Sequence, residues 1–313
     1  MLQFIVRRLG YMVLTLFIVS VVIFAVTEVL PGNAARVILG AEATEQSIAA
    51  LEERLGLNRP VHERYFSWLF GAVQGDFGTS LRMNVAVGPL ILERLGNSLA
   101  LAGLALLISV PLAITLGVVA GLRRGKPEDH AISVGTLAGV SMPEFVVGVV
   151  LILLFASTWQ ILPASSLMEP GENPFSNPAI LILPSITLLA VTLAHTTRMT
   201  RASMISVMKS DYVRTAFLKG LPWRRVVVRH ALPNALLPTI TIVAINIGWM
   251  IGGLIVVETV FSYPGLGQLI IGAISNRDVP LMQAVALLVT FIYAFANLIA
   301  DILYTVLNPR IRY

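Results

Sequence analysis

Six long apolar stretches, separated by short segments that carry almost all the charge, leave this chain few ways to fold. They lie near residues 9–30, 97–121, 132–159, 179–200, 235–257 and 281–305. A bilayer core about 30 Å thick is crossed by about 20 apolar residues in a helix rising 1.5 Å per residue, and each stretch meets or approaches that length. Lipid offers no partner to backbone polar groups, so each stretch must satisfy its own N–H and C=O groups as a helix. The chain is 56% hydrophobic and only 12% charged, where a soluble domain has roughly 25% charged residues. An all-α integral membrane protein with six transmembrane helices is therefore expected. The first stretch follows Arg7-Arg8 and precedes Asn33-Ala34-Ala35, which looks faintly like a cleavage site. Its apolar run exceeds the usual 7 to 15 residue signal core, so it is read as an uncleaved anchor.

Basic residues orient the spans. Arg7 and Arg8, then Arg123, Arg124 and Lys126, then eight Lys and Arg between Arg198 and Arg229, and finally Arg310 and Arg312 fall on one side, whereas the short loops of the other face hold only Arg277. Both termini are expected to be cytoplasmic. The organisation read from this is a cytoplasmic N-terminus and first helix over 1–30 and an external helical segment over 31–96. A five-helix core over 97–305 follows, with a cytoplasmic loop at 201–234, and then a cytoplasmic tail over 306–313. The net charge of +5 reflects this asymmetry. The basic residues flank membrane spans and are not interleaved with base-stacking aromatics, so no nucleic-acid partner is implied. The absence of cysteine removes disulfides, thiolate metal sites and thiol catalysis.

The external segment has helical periodicity. Ile48, Leu51 and Leu55 share a face before Gly56, and Val61, Tyr65, Trp68 and Leu69 repeat the pattern after Pro60. Two short amphipathic helices follow, read either as a cap on the bundle with Tyr65 and Trp68 at the interface, or as part of a seat for a partner.

Inside the membrane, Gly117-x-x-x-Gly121, Gly135-x-x-x-Gly139 and Gly248-x-x-x-Gly252 allow helices to approach closely. Glu144 lies at depth in the third span, immediately after Pro143. A cavity-lining carboxylate and one that hydrogen-bonds a neighbouring helix both fit it. His195, Asn297 and Asp301 are placed near cytoplasmic helix ends, where interfacial solvation accounts for them. Gly125-Lys126-Pro127 has neither the upstream glycine nor the Ser or Thr of a P-loop, and no catalytic constellation stands at useful spacing, so no enzyme is expected. An ion-coupled secondary transporter or channel subunit stays as an alternative, with Glu144 its only support.

The segment Asp211-Tyr212-Val213-Arg214-Thr215-Ala216-Phe217-Leu218-Lys219-Gly220-Leu221-Pro222-Trp223-Arg224-Arg225 reads as a charged helical hairpin. Asp211 is expected as the N-cap of a helix to Lys219, Gly220 as its left-handed stop, and Pro222 as the opening of a second helix. A docking socket and a solvated loop are the two readings of such a hairpin.

Asp-Tyr-x-Arg-Thr-Ala-x-x-Lys-Gly, followed by Asn234-Ala235-Leu236-Leu237-Pro238, resembles the coupling loop of permease subunits in bacterial ATP-driven (ABC) importers, specifically the B-type subunits of the peptide, nickel and glutathione branch. The likeness extends through Leu30-Pro31-Gly32, Leu55-Gly56-Leu57, Gly75-Asp76-Phe77-Gly78 and Glu258-x-x-Phe261-x-x-Pro264-Gly265-Leu266-Gly267 to Asn308-Pro309-x-Ile311-Arg312-Tyr313. It implies a type I importer permease fold in the bacterial inner membrane. It also implies a second homologous permease subunit, two cytoplasmic ATPases that hold the ATP and Mg this chain does not bind, and an external solute-binding protein. The loop residues carried over are Asp211, Tyr212, Arg214, Thr215, Ala216, Lys219, Gly220 and Trp223, with Asp211 and Gly220 shaping the hairpin. The turn with Glu258, Phe261, Tyr263, Pro264 and Gly265 would lie at the external mouth, where Phe261 and Tyr263 form an outer gate, or pack as a plain re-entrant turn. Leu218 stands where the family usually has Ala, and Asn33-Ala34 where Asp-Pro is usual. Dipeptide, oligopeptide, glutathione and metal-chelate uptake are not separated by these residues.

Overall fold

The computed structural model describes residues 2–29, 44–54 and 58–307. The motifs at Leu30-Pro31-Gly32, Asn33-Ala34 and Leu55-Gly56-Leu57, and the terminal Asn308 to Tyr313, lie outside the described residues. The helices are α1 (Leu2–Val29), α2 (Glu45–Arg54), α3 (Val61–Gln74), α4 (Val87–Leu122), α5 (Pro127–Ser141), α6 (Glu144–Thr158), α7 (Ala179–Met208), α8 (Asp211–Leu218), α9 (Trp223–Val260), α10 (Leu266–Ser275) and α11 (Val279–Leu307). By length and apolar composition α1, α4, α9 and α11 can each cross a membrane, and the pair α5 and α6 and the bent helix α7 bring the number to six.

The expected spans are present, but their helices overrun the lipid-facing sequence. α4 starts at Val87, α7 continues to Met208 and α9 begins at Trp223. Within the helix that carries the fourth span, His195 lies 13 residues before the end of α7, about 20 Å along the axis. It sits edge-on to the Trp249 ring with centroids 5.4 Å apart, and not at the helix end.

The third span is not one rod. Met142 takes φ −100°, ψ 132°, an extended conformation, as expected of a residue whose helical geometry would clash with a following proline. Pro143 cannot donate to the preceding turn, and α6 departs from α5 at 105°.

Two compact units are formed, one of Leu99–Tyr263 with the chain from Ala296, the other of Leu2–Ser98 with Pro264–Phe295. In the second, α3 lies on α1. Tyr65 and Trp68 stack about Phe24 at 5.4 and 5.9 Å, the Tyr65 hydroxyl is 2.9 Å from Ser20 Oγ, and Arg64 Nη1 donates to Glu28 Oε1 at 2.7 Å. These contacts give the cap reading of the external segment a physical basis. Its end, Gly75-Asp76-Phe77-Gly78, is a turn in which both glycines have positive φ (84° and 74°) and Asp76 Oδ1 accepts from the Gly78 amide at 2.9 Å.

In the first unit α7 is the central helix. A Cβ on Gly117 would stand 2.5 Å from Thr200 Cβ, and one on Gly121 2.8 Å from Met204 Cβ, so the glycine pair on α4 is a close helix contact as expected. The other two pairs are corrected. Gly135 and Gly252 face open space, and Gly139 meets only the Ala190 carbonyl, at an ordinary 3.5 Å. On α9 Gly253 makes a close approach, one residue and 100° around the helix from Gly252.

Candidate functional site

The hairpin between α7 and α9 is built from its sequence in a few steps. Ser210 is non-helical (φ −72°, ψ 150°) and Asp211 is the first helical residue, so the N-cap position belongs to Ser210 and the expectation for Asp211 is corrected. Adjacent Ser and Asp compete for one boundary, and Asp211 instead places its charge at the positive end of α8. Val213, Ala216 and Phe217 fall at i, i+3 and i+4. They face a core with Met204, Val226, Val227, Ala231 and Ala235. Ala216 is buried, so of the hairpin residues that the resemblance singles out it packs inward.

The turn is a Schellman motif. The Gly220 amide donates to the Phe217 carbonyl at 2.9 Å and the Leu221 amide to the Ala216 carbonyl at 3.3 Å, with Gly220 at φ 74° and Leu221 against the same core. Pro222 then enters α9, its carbonyl accepting from Arg225 and Val226, and the Phe217 and Trp223 rings stack at 5.3 Å across the turn.

The second arm is not a separate helix. It widens into a π turn over Val226–Ala231 and continues as α9. Pro233 has no N–H and its ring excludes the carbonyl four residues back, so the wider turn lets the hydrogen-bond ladder pass. The Asn234 side-chain amide donates to the His230 carbonyl at 2.9 Å. The helices that continue the two arms, α7 and α9, are tied to each other. Thr200 and Thr239 hydroxyls are 3.1 Å apart, and Asn246 Nδ2 donates to Thr196 Oγ1 at 3.0 Å.

At the hairpin's foot a buried ion pair fastens α5 to α7. Asp129, 2% exposed, accepts from Arg201 Nε and Nη2 at 2.5 and 2.8 Å and from the Gly125 amide at 2.9 Å. Arg123 pairs with Glu128 beside it. Sequence reasoning counted Arg201 only as loop charge and passed over Asp129. The signal was an acidic residue opening an apolar span in a chain otherwise sparing with carboxylates.

The hairpin's outer surface exposes Tyr212, Leu218 and Trp223 at 45%, 79% and 52%, together with Arg214, Thr215, Lys219, Arg224 and Arg225. An aromatic and aliphatic patch with a basic rim is the composition of a protein interface.

A family model described as the binding-protein-dependent transport system inner membrane component matches residues 113–313, and its N-terminal companion matches residues 1–102. The chain belongs to this permease family. It is a permease subunit of an ATP-driven importer, multi-pass in the inner membrane.

The permease is 38% identical to a probable peptide ABC transporter permease, y4tP, of Sinorhizobium fredii, over 99% of both chains. It is 35% identical to the dipeptide transport system permease DppB of Escherichia coli K12, over 100% of this chain and 99% of that one. It is 37% identical to the glutathione transport system permease GsiC of the same strain, over 100% of both. In fold it resembles the permease chain in a crystal structure of an amino acid ABC transporter with histidines, with TM-score 0.51 and 17% identity over 71% of this chain and 94% of that one.

Two further groups of expected site residues are placed as follows. Glu258, Phe261 and Tyr263 are fully buried in the first unit. The Phe261 ring lies on Gly148, where a Cβ would stand 3.2 Å from it, and the Phe261 carbonyl accepts from the Ser166 amide at 2.7 Å. In the second unit the Pro264 carbonyl accepts from Asn97 Nδ2 at 2.8 Å, and the Leu266 amide donates to Ser98 Oγ at 2.9 Å. Pro264 and Gly265 are buried as well. Within its own unit each of these groups is buried and packed. Glu144 opens α6, half-buried, with its carboxylate against the Gly253 backbone of α9, and a Cβ there would meet its oxygens at 2.5 and 2.6 Å. It makes no hydrogen bond among the described residues, so of its two readings the helix-bridging one has no partner to name.

Proposed function

We propose that this permease forms half of an import path for peptides or closely related small solutes and that the α8 hairpin is its docking point for a cytoplasmic ATPase. The complex would hold a second homologous permease, two ATPases with ATP and Mg, and an external solute-binding protein, with both termini of this chain cytoplasmic. One observation carries the docking assignment. A turn locked by Gly220 presents Tyr212, Leu218 and Trp223 outward while its two arms run directly into α7 and α9. A displacement of the hairpin would thus be passed to two membrane helices that are hydrogen-bonded to each other, which is what a lever for alternating access requires. The peptide class rests on relatives whose names specify peptide, dipeptide and glutathione transport.

Purification of the tagged chain in mild detergent should recover the ATPases and a second permease in stoichiometric amounts. Recovery of the folded chain alone would overturn the assignment. The lever has its own test in Gly220→Val. Space is open around Gly220, so the change acts through the backbone alone, a left-handed β-branched residue costing about 1–2 kcal/mol. Membrane levels should be kept while solute-stimulated ATP hydrolysis and uptake fall about tenfold, and wild-type uptake would sink the lever.

Glu144 is proposed to line the solute path. The Cβ of Gly253→Ala would press on the mobile end of the Glu144 side chain and not on backbone, so the stability cost should be small, about 1 kcal/mol, while the carboxylate is turned away. Gly253→Ala and Glu144→Gln should each raise the solute concentration for half-maximal uptake, and the double variant should match the singles because both act on one group. Additive effects would separate Glu144 from Gly253.

A further inference from the structure

In the second unit, the loop that precedes α4 and the segment from α10 to α11 enclose a cavity of about 280 Å³, lined by Arg82, Arg94, Gln268, Gly272, Asn276 and Asp278. Its one carboxylate is already engaged. Asp278, 2% exposed, accepts from Ser80 Oγ at 2.5 Å and from the amides of Leu81, Arg82 and Leu281 at 3.2, 3.3 and 3.4 Å. That carboxylate shapes the wall, and against the two guanidinium groups of Arg82 and Arg94 it offsets only one, so the lining keeps an excess of positive charge. Arg94 Nε is buried and has no hydrogen-bond partner among the described residues, and Arg82 is exposed at the rim. The cavity therefore offers planar N–H donors and positive charge with the acceptor missing, the complement of a carboxylate.

We infer that this cavity receives an acidic side chain of the solute-binding protein. The inference rests on the permease reading, under which the chain that follows α9 emerges on the external side, where that protein docks. Two observations favour this occupant over a free solute. The volume is below the roughly 300–1,000 Å³ of small-molecule sites and suits one side chain. Of the arginines described in the external segment, Arg59 is exposed and Arg64 is spent on Glu28, whereas Arg82 and Arg94 converge on this cavity.

The test uses the complete transporter in lipid nanodiscs, with ATP hydrolysis followed as the purified binding protein is titrated at low and high salt. Arg82→Gln with Arg94→Gln should raise the binding-protein concentration for half-maximal stimulation at least tenfold at low salt, flatten its salt dependence and keep the maximal rate. Arg82→Glu, at an exposed position, should do the same without disturbing the fold, and reversal of the matching acidic residue on the binding protein should rescue it. Unchanged half-maximal concentrations, or an effect seen only in solute dependence at saturating binding protein, would overturn the inference. If the binding protein fails to stimulate even the wild-type complex, the proposed assembly with an external binding protein itself falls.

Discussion

Arg201→Ala is expected to destabilise the permease by about 2–3 kcal/mol, because it strands a carboxylate that the fold has enclosed. Asp129 is 2% exposed and would keep only the Gly125 amide, at 2.9 Å, and Ser133 Oγ, at 3.4 Å. Breaking a buried pair from one side costs about 3–5 kcal/mol. The Arg201 side chain is 31% exposed, so water can partly solvate the vacated position, and the cost is discounted to about 2–3 kcal/mol. At about 2–4 °C per kcal/mol the melting temperature of the detergent-solubilised complex should fall by roughly 4–12 °C. The sharper reading is the pair: Asp129→Asn with Arg201→Ala removes the buried charge as well and should melt closer to wild type than Arg201→Ala alone. A single variant that melts within a degree of wild type would mean that the pair holds nothing together.

Phe261→Ala should be the other large loss, and it decides what the turn at 258–265 is for. The ring is fully buried among Leu181, Leu188, Met250 and Val257, and deleting a buried phenyl costs about 3–5 kcal/mol. If the turn is core, the variant melts early and any leak tracks the unfolded fraction. If it is a gate, stability is kept and basal ATP hydrolysis rises. Gly148→Ala is a gentler probe of the same contact, since its Cβ would crowd Phe261 Cε2 at 3.2 Å and Val260 Cγ1 at 3.3 Å. We expect the core result in both. Wild-type melting together with raised basal hydrolysis would restore the gate.

The apolar stretches and the turn at Gly220 were legible because each is dictated locally. Lipid demands long apolar helices, and Gly followed by Pro two residues on leaves a helix little choice but to end and restart. Helix ends were not legible, because hydropathy reports where lipid is and not where the hydrogen-bond ladder stops. Val87 to Gly96 and Trp223 to Asn234 are polar enough to leave the membrane yet stay helical or π-helical. Pro143 announced a break but not its 105° angle, which depends on what α6 packs against. Glycine spacing likewise announced close contact without its side, so Gly252 was expected where Gly253 is used. The pairing of Asp129 with Arg201, 72 residues apart, and the engagement of Asp278 by Ser80, 198 residues away, are tertiary events to which no local pattern points. The aromatic turn at 258–265 suggested a mouth because bulky rings beside Pro-Gly suit one, but the same rings also suit a core, and only their surroundings decide.

The outward face of the hairpin also bears on how a cell handles this protein before assembly. Leu218 at 79% exposure and Trp223 at 52%, rimmed by arginines, make a sticky knob on any copy in which the proposed ATPase contact has not formed. Such a knob is an attractive substrate for chaperones and membrane proteases, so orphan subunits would carry their own mark for disposal. Burying the patch on assembly would erase that mark, and subunit ratios would then be policed by turnover as well as by synthesis.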